Sequence, residues 1–255
     1  MKVRSQSSSI RIKRSNTRTP QYDDRAAWTV ARAVRELKRY GEKRNVDGMA
    51  RFGIRAKKVL GVSKPNLDQI ARKIGKNHAL GLKLWRTGIH DARLLGMLIS
   101  DAQRVTPTQM EGWVRDFDNW DVCDGTCCHL FVNAAPAWRK AFTWSKQKRE
   151  FEKRAGFALA AFLAVHDKTA SNASFREYLK VIERETWDSR NFVRKAVNWV
   201  LRNIGKRNLP LNRAAIASAR RIQKSELPTA RWIAADALRE LQSDAVQARL
   251  RRKSA

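Results

Sequence analysis

Trp120 and Asp124 lie four residues apart, a spacing that sets both side chains on one face of a helix. Trp113 precedes Trp120 by seven residues and falls close to the same stripe. A ring face attracts a cation, and a fixed carboxylate stabilises positive charge that develops beside it. The ordinary use of a tryptophan stripe is core packing. Asp124 fits that use poorly, because a carboxylate on an apolar stripe is costly to bury unless it is paired or functional. A local cap or an ion pair with an arginine is the alternative. Asp121 suits the first turn of the same helix, where the helix dipole favours negative charge, and Asp116 and Asp118 suit the turn before it. Cys123, Cys127, Cys128 and His129 crowd the following turn. Zinc needs about four converging ligands, and Cys128 faces away from the pair Cys123 and Cys127, so packing of small side chains explains the cluster better than a metal. His78, His90 and His166 are scattered and suggest no catalytic set. The glycines form neither a phosphate loop nor a dinucleotide fingerprint, and no cofactor is expected.

The chain around these residues is strongly basic. Its 255 residues hold 53 Lys and Arg against 24 Asp and Glu, a net charge of +29. Such an excess points to a polyanionic partner and argues against an enzyme of acidic small molecules. An apolar share of 43% with nine tryptophans excludes a wholly disordered basic protein. Basic residues gather in four groups: Arg51, Arg55, Lys57 and Lys58 on one helix; Lys146, Lys148, Arg149, Lys153 and Arg154 on a second; Arg190, Arg194, Lys195, Arg202, Lys206 and Arg207 on a third; then Arg213, Arg220 and Arg221. Many will be plain solvated surface, but surfaces ordinarily mix both signs. Arg51, Arg55, Lys148, Arg149, Lys153, Arg194, Lys195 and Arg202 are the candidate phosphate contacts. Residues 1–20 carry six basic residues and no acidic one, which reads as a disordered basic arm; an arm reaching for phosphates and a cleaved targeting peptide are the alternatives. No apolar stretch of eighteen residues occurs, so no membrane span is expected. Three clustered cysteines make no disulfide framework, which suits a reducing compartment and a cytoplasmic location, on the nucleoid if the source is bacterial.

The elements that must position these residues read as helices throughout. Apolar residues recur at helical spacing over 22–40, 45–60, 67–74, 89–99, 148–165, 171–184, 190–204, 211–223 and 229–242. Thr106-Pro107 marks a capped helix start, and Pro136 lies near another. About twelve helices joined by short loops form one domain over 21–245, followed by a basic C-terminal tail over 246–255. The fold class is all-α; a solenoid of stacked helix pairs is favoured over an irregular bundle.

Asn119-Trp120-Asp121-Val122-Cys123-Asp124 resembles the Trp-Asp-x-x-Asp signature of DNA alkylation repair glycosylases of the AlkD type. Three further segments agree in order and spacing: Met49 to Pro65, with Phe52-Gly53-Ile54 and Leu60-Gly61-Val62-Ser63-Lys64-Pro65; Phe151-Glu152-Lys153-Arg154-Ala155; and Phe192 to Arg202, with Lys195-Ala196 and Trp199-Val200-Leu201-Arg202. The resemblance covers roughly residues 25–225. It implies a curved superhelix of HEAT-like antiparallel helix pairs whose basic concave face holds duplex DNA. It also implies a monomeric, monofunctional glycosylase of base excision repair that hydrolyses the N-glycosidic bond of N3- and N7-alkylated purines.

The resemblance makes Asp124, Trp120, Trp199 and Arg154 the catalytic residues. Asp124 would stabilise an oxocarbenium-like sugar and orient a water, the two tryptophans would face the cationic lesion, and Arg154 would hold a flanking phosphate. An ion pair between Arg154 and Glu150 on the same helix is the plainer use of that arginine. A non-catalytic helical-repeat scaffold that binds nucleic acid or protein is the alternative function.

Overall fold

In a computed structural model, residues 28–252 are described. They form fourteen α-helices: α1 (Val30–Arg39), α2 (Lys43–Arg51), α3 (Lys64–Ile74), α4 (His78–Trp85), α5 (His90–Ile99), α6 (Pro107–Arg115), α7 (Trp120–His129), α8 (Ala137–Trp144), α9 (Glu150–His166), α10 (Asn172–Arg184), α11 (Asn191–Gly205), α12 (Leu209–Gln223), α13 (Pro228–Leu241) and α14 (Asp244–Arg252). The expected arm, residues 1–20, lies outside the described residues. Helices α3, α5, α7, α9, α11 and α13 each pack on the next, while α4, α8 and α12 pair with α5, α9 and α13. These HEAT-like pairs stack into a curved superhelix with one continuous core from Trp28 to Leu241. The helices approach closely where α8 meets α9. A Cβ on Gly156 would lie 2.3 Å from the Ser145 amide nitrogen, and the Tyr178 hydroxyl donates to the Gly156 carbonyl at 2.9 Å.

Several expected elements are redrawn. The helix expected over 45–60 stops at Arg51, because Gly53 takes a φ of +81° that ends the helical backbone. Ile54 still reaches the core, but from a loop, and Asp91 holds that loop by accepting from the amides of Leu60 and Val62 at 2.6 and 2.7 Å. Arg55, Lys57 and Lys58 therefore belong to a loop, not to a helix with Arg51. Trp113 does not share a stripe with Trp120: it lies on α6 and stacks inside the core on Trp85, with ring centroids 3.9 Å apart. The boundary at 245 falls inside α14, whose Val246 and Leu250 are buried, so residues up to 252 are a packed helix, not a tail. Helix α4 also went unread: its sequence HALGLKLW is apolar nearly all round and has no period to detect.

Candidate active site

Asn119 starts α7 where the chemistry needs it. Its side-chain oxygen accepts from the amides of Asp121 and Val122 at 3.0 and 3.1 Å, an N-cap that makes Trp120 the first helical residue. His90, buried on α5, braces this start: its Nε2 lies 3.0 Å from Asp121 Oδ2. Val122, Cys123, Thr126 and Cys127 form the buried face of α7. Cys123 and Cys127 sit against α9, each 3.7 Å from one of its carbonyls (Phe151, Ala155), and burial pushes the Cys123 thiol well up. Cys128 is half-buried on another side and His129 is exposed. Among the described residues no three His, Cys, Asp or Glu converge as metal ligands.

The other side of α7 opens on a cleft of 580 Å³ whose walls include Trp120 and Asp124, Arg154 of α9, and Lys195 and Trp199 of α11. All four expected catalytic residues therefore meet in one space. Trp120 donates from Nε1 to the Phe52 carbonyl at 2.9 Å, and Trp199 stands edge-on to Phe162 with centroids 4.9 Å apart. Asp124 and Arg154 form a two-pronged pair: Nε to Oδ1 at 2.9 Å and Nη2 to Oδ2 at 2.6 Å. The third prong, Nη1, donates to the Phe192 carbonyl at 2.6 Å. This geometry corrects one expectation for Arg154: it pairs with Asp124 and not with Glu150. Three of the five N–H groups of its guanidinium are engaged, by Asp124 and the Phe192 carbonyl. Burial raises the Asp124 carboxyl above its ordinary value, with Arg154 pulling the other way. Burial also works against the Arg154 charge, but Asp124 outweighs it and holds the guanidinium charged.

The expected phosphate contacts divide. Arg51, Arg55, Lys148, Arg149 and Lys195 are exposed, and Arg149 also pairs with Glu152 at 2.9 Å. Arg194 lies over the Trp232 ring, 5.1 Å from its centroid. Arg202 borders the cleft but spends its charge on Glu240 at 2.6 Å and Asp236 at 3.7 Å. Lys153 is not a surface contact at all. It is buried between Glu185 at 2.7 Å and Asp188 at 3.0 Å, because its position on α9 turns it toward the α10–α11 loop. Arg190 and Lys206 are likewise ion-paired, and Arg207 is tied to the carbonyls of Ala164 and Ala170.

Three aromatic walls of the cleft were missed: Phe52, 74% exposed; Trp232, 39% exposed; and Phe192. Phe52 and Phe192 stood inside segments already singled out, so an aromatic beside a motif was the available signal. Trp232 carried none, since one tryptophan on an amphipathic helix looks like core.

Comparison with known proteins agrees with this architecture. A solved structure described as "a new family of proteins related to the HEAT-like repeat DNA glycosylases with affinity for branched DNA structures" superposes with a TM-score of 0.74 at 20% identity, covering 88% of this chain and 96% of that one. No curated protein matches the sequence significantly. The sequence pattern described as "DNA alkylation repair enzyme" matches residues 33–241, and that span takes in every residue of the cleft. The chain belongs to the DNA alkylation repair enzyme family.

Proposed function

We propose that the protein is a monofunctional DNA glycosylase that hydrolyses the N-glycosidic bond of N3- and N7-alkylated purines in duplex DNA. The observation that carries the reading is the convergence of Trp120, Asp124, Arg154 and Trp199, from three helices, on one cleft. An alkylated purine of this kind already bears positive charge, so it leaves as a neutral base and needs no general acid. The C1′–N bond breaks with its electron pair going to the base, and the sugar becomes oxocarbenium-like. A carboxylate fixed beside it stabilises that charge and orients the water whose oxygen bonds to C1′, the water's proton passing to solvent. Arg154 supplies the fixing. Trp120 and Trp199 offer ring faces to the cationic lesion, each contact worth about 0.5–2 kcal/mol. Lys195 and the exposed Arg51, Arg55 and Lys148 supply phosphate contacts. The protein acts as a monomer on DNA in the cytoplasm, on the nucleoid if its source is bacterial.

Incubation of excess protein with duplex DNA holding one N7-methylguanine tests the reading. Release of the free base with formation of an abasic site supports it; an intact glycosidic bond at saturating protein sinks it. One observation favours a second reading, a non-catalytic DNA binder: both Asp124 oxygens are engaged by Arg154, as in a purely structural ion pair. The solved structure of similar fold is described as having affinity for branched DNA, which suits that reading too. Binding without excision is its signature.

A further inference from the structure

Trp187 is 58% exposed on the loop between α10 and α11, yet it is firmly held. The Lys153 ammonium lies 4.3 Å from its ring centroid, and Glu185 and Asp188 anchor that ammonium at 2.7 and 3.0 Å. Asp188 also takes the Arg190 fork, Nε at 2.9 Å and Nη2 at 2.5 Å. Arg190 Nη1 in turn donates to the Lys148 carbonyl at 2.7 Å, which ties this loop to the one before α9. The result is a rigid ledge that presents one large aromatic ring, beside a hollow of 920 Å³ edged by Lys146, Lys148, Arg184 and Arg190. Arg184 and Arg190 spend their charge on Glu185 and Asp188, whereas Lys146 and Lys148 are exposed and stand outside these ion pairs.

A pre-positioned ring flanked by exposed lysines suits a single nucleic-acid strand, with a base on the ring and phosphates on the lysines. Bases inside an intact duplex cover one another's faces and show only their edges in the grooves, so a ring face meets a base only where a strand leaves the duplex or at the duplex end. We propose that Trp187, with Lys146 and Lys148, is a stacking station for an unpaired base of such a strand, separate from the cleft between Asp124 and Trp199. The proposal rests on the protein's binding DNA, not on its excising a base.

The test uses the full chain with a blunt duplex and with the same duplex carrying a short overhang, of either polarity, that contains 2-aminopurine. The wild type is expected to bind the overhang DNA more tightly and to quench the 2-aminopurine. Trp187→Ala relieves the quench and weakens overhang binding about tenfold, the scale of one base–aromatic stack; Trp187→Phe restores the binding. Affinity for blunt duplex falls less than affinity for the overhang DNA in Trp187→Ala, and matching thermal melts exclude misfolding. Equal wild-type affinity for the two DNAs, quenching that survives Trp187→Ala, or an equal loss on both DNAs overturns the proposal; undiminished binding would leave the ring to a protein partner. Failure of the N7-methylguanine assay sinks the glycosylase reading and leaves this one standing.

Discussion

A carboxylate has about four lone-pair directions, and Arg154 occupies one on each oxygen of Asp124. The Cys123 thiol also hydrogen-bonds this carboxylate, which still leaves a direction for the sugar or the water of the proposed reaction, so pairing and catalysis are compatible at this residue. The pair also sets a pH signature. Burial holds the Asp124 carboxyl above its ordinary 3.8, and the reaction needs it ionised. Single-turnover excision should therefore fall as pH drops through a value above 3.8, and that limb should vanish from the residual activity of Asp124→Asn. A limb that persists in the variant would assign it to another group. Asp188 behaves oppositely. Burial works to raise its carboxyl, but hydrogen bonds from Arg190 and Lys153 overcome this and hold it at about 2 against an ordinary 3.8. Because the folded value is depressed, its contribution is fully present above the unfolded value and is lost as pH falls from about 4 toward 2. Asp188→Asn should cost about 2 kcal/mol at neutral pH. Paired denaturant melts of variant and wild type should converge across that acid window, and a gap independent of pH would contradict the assignment.

Helices carry these residues with a precision that sequence conveys unevenly. The spans expected at 148–165, 171–184 and 190–204 match α9, α10 and α11 to within two residues, because long amphipathic periods with clear breaks leave little choice. The span over 45–60 misled because Ile54 continues a helical spacing from beyond a positive-φ glycine. At the site, spacing alone linked only Trp120 to Asp124; Arg154 and Trp199 came from the resemblance, since contacts between helices 30 or more residues apart leave no local trace. Lys153 went wrong for the same reason: a charge run shows no orientation, and its partners lie beyond the next helix. Close α8–α9 packing gives the element-scale prediction. A methyl at Gly156 would press on backbone at Ser145 and Trp144, which flexible side chains cannot relieve. Gly156→Ala should destabilise by about 1–3 kcal/mol and, if the folded variant keeps its cleft, leave excision per folded molecule unchanged. An unaltered melting temperature would refute the close packing.

The whole molecule contributes charge and shape. With a net charge of +29, affinity for duplex DNA should fall roughly 10³-fold or more between about 50 mM and 200 mM salt if six or more phosphates are neutralised. The shallower the slope, the more of the arginines and lysines are occupied internally, as Lys153 and Arg202 are. An anisotropy titration that stays flat with salt would rule out a phosphate-binding face. The proposed chemistry requires this curved stack to hold one carboxylate beside a scissile glycosidic bond. It is tested most directly by single-turnover abasic-site formation from N7-methylguanine duplex with wild type and Asp124→Asn, both shown to be folded and to bind the duplex equally. The variant's rate should be on the order of 10²-fold lower, the scale of losing one preorganised electrostatic group, with smaller losses for Trp120→Ala and Trp199→Ala. Equal rates for wild type and Asp124→Asn would contradict it.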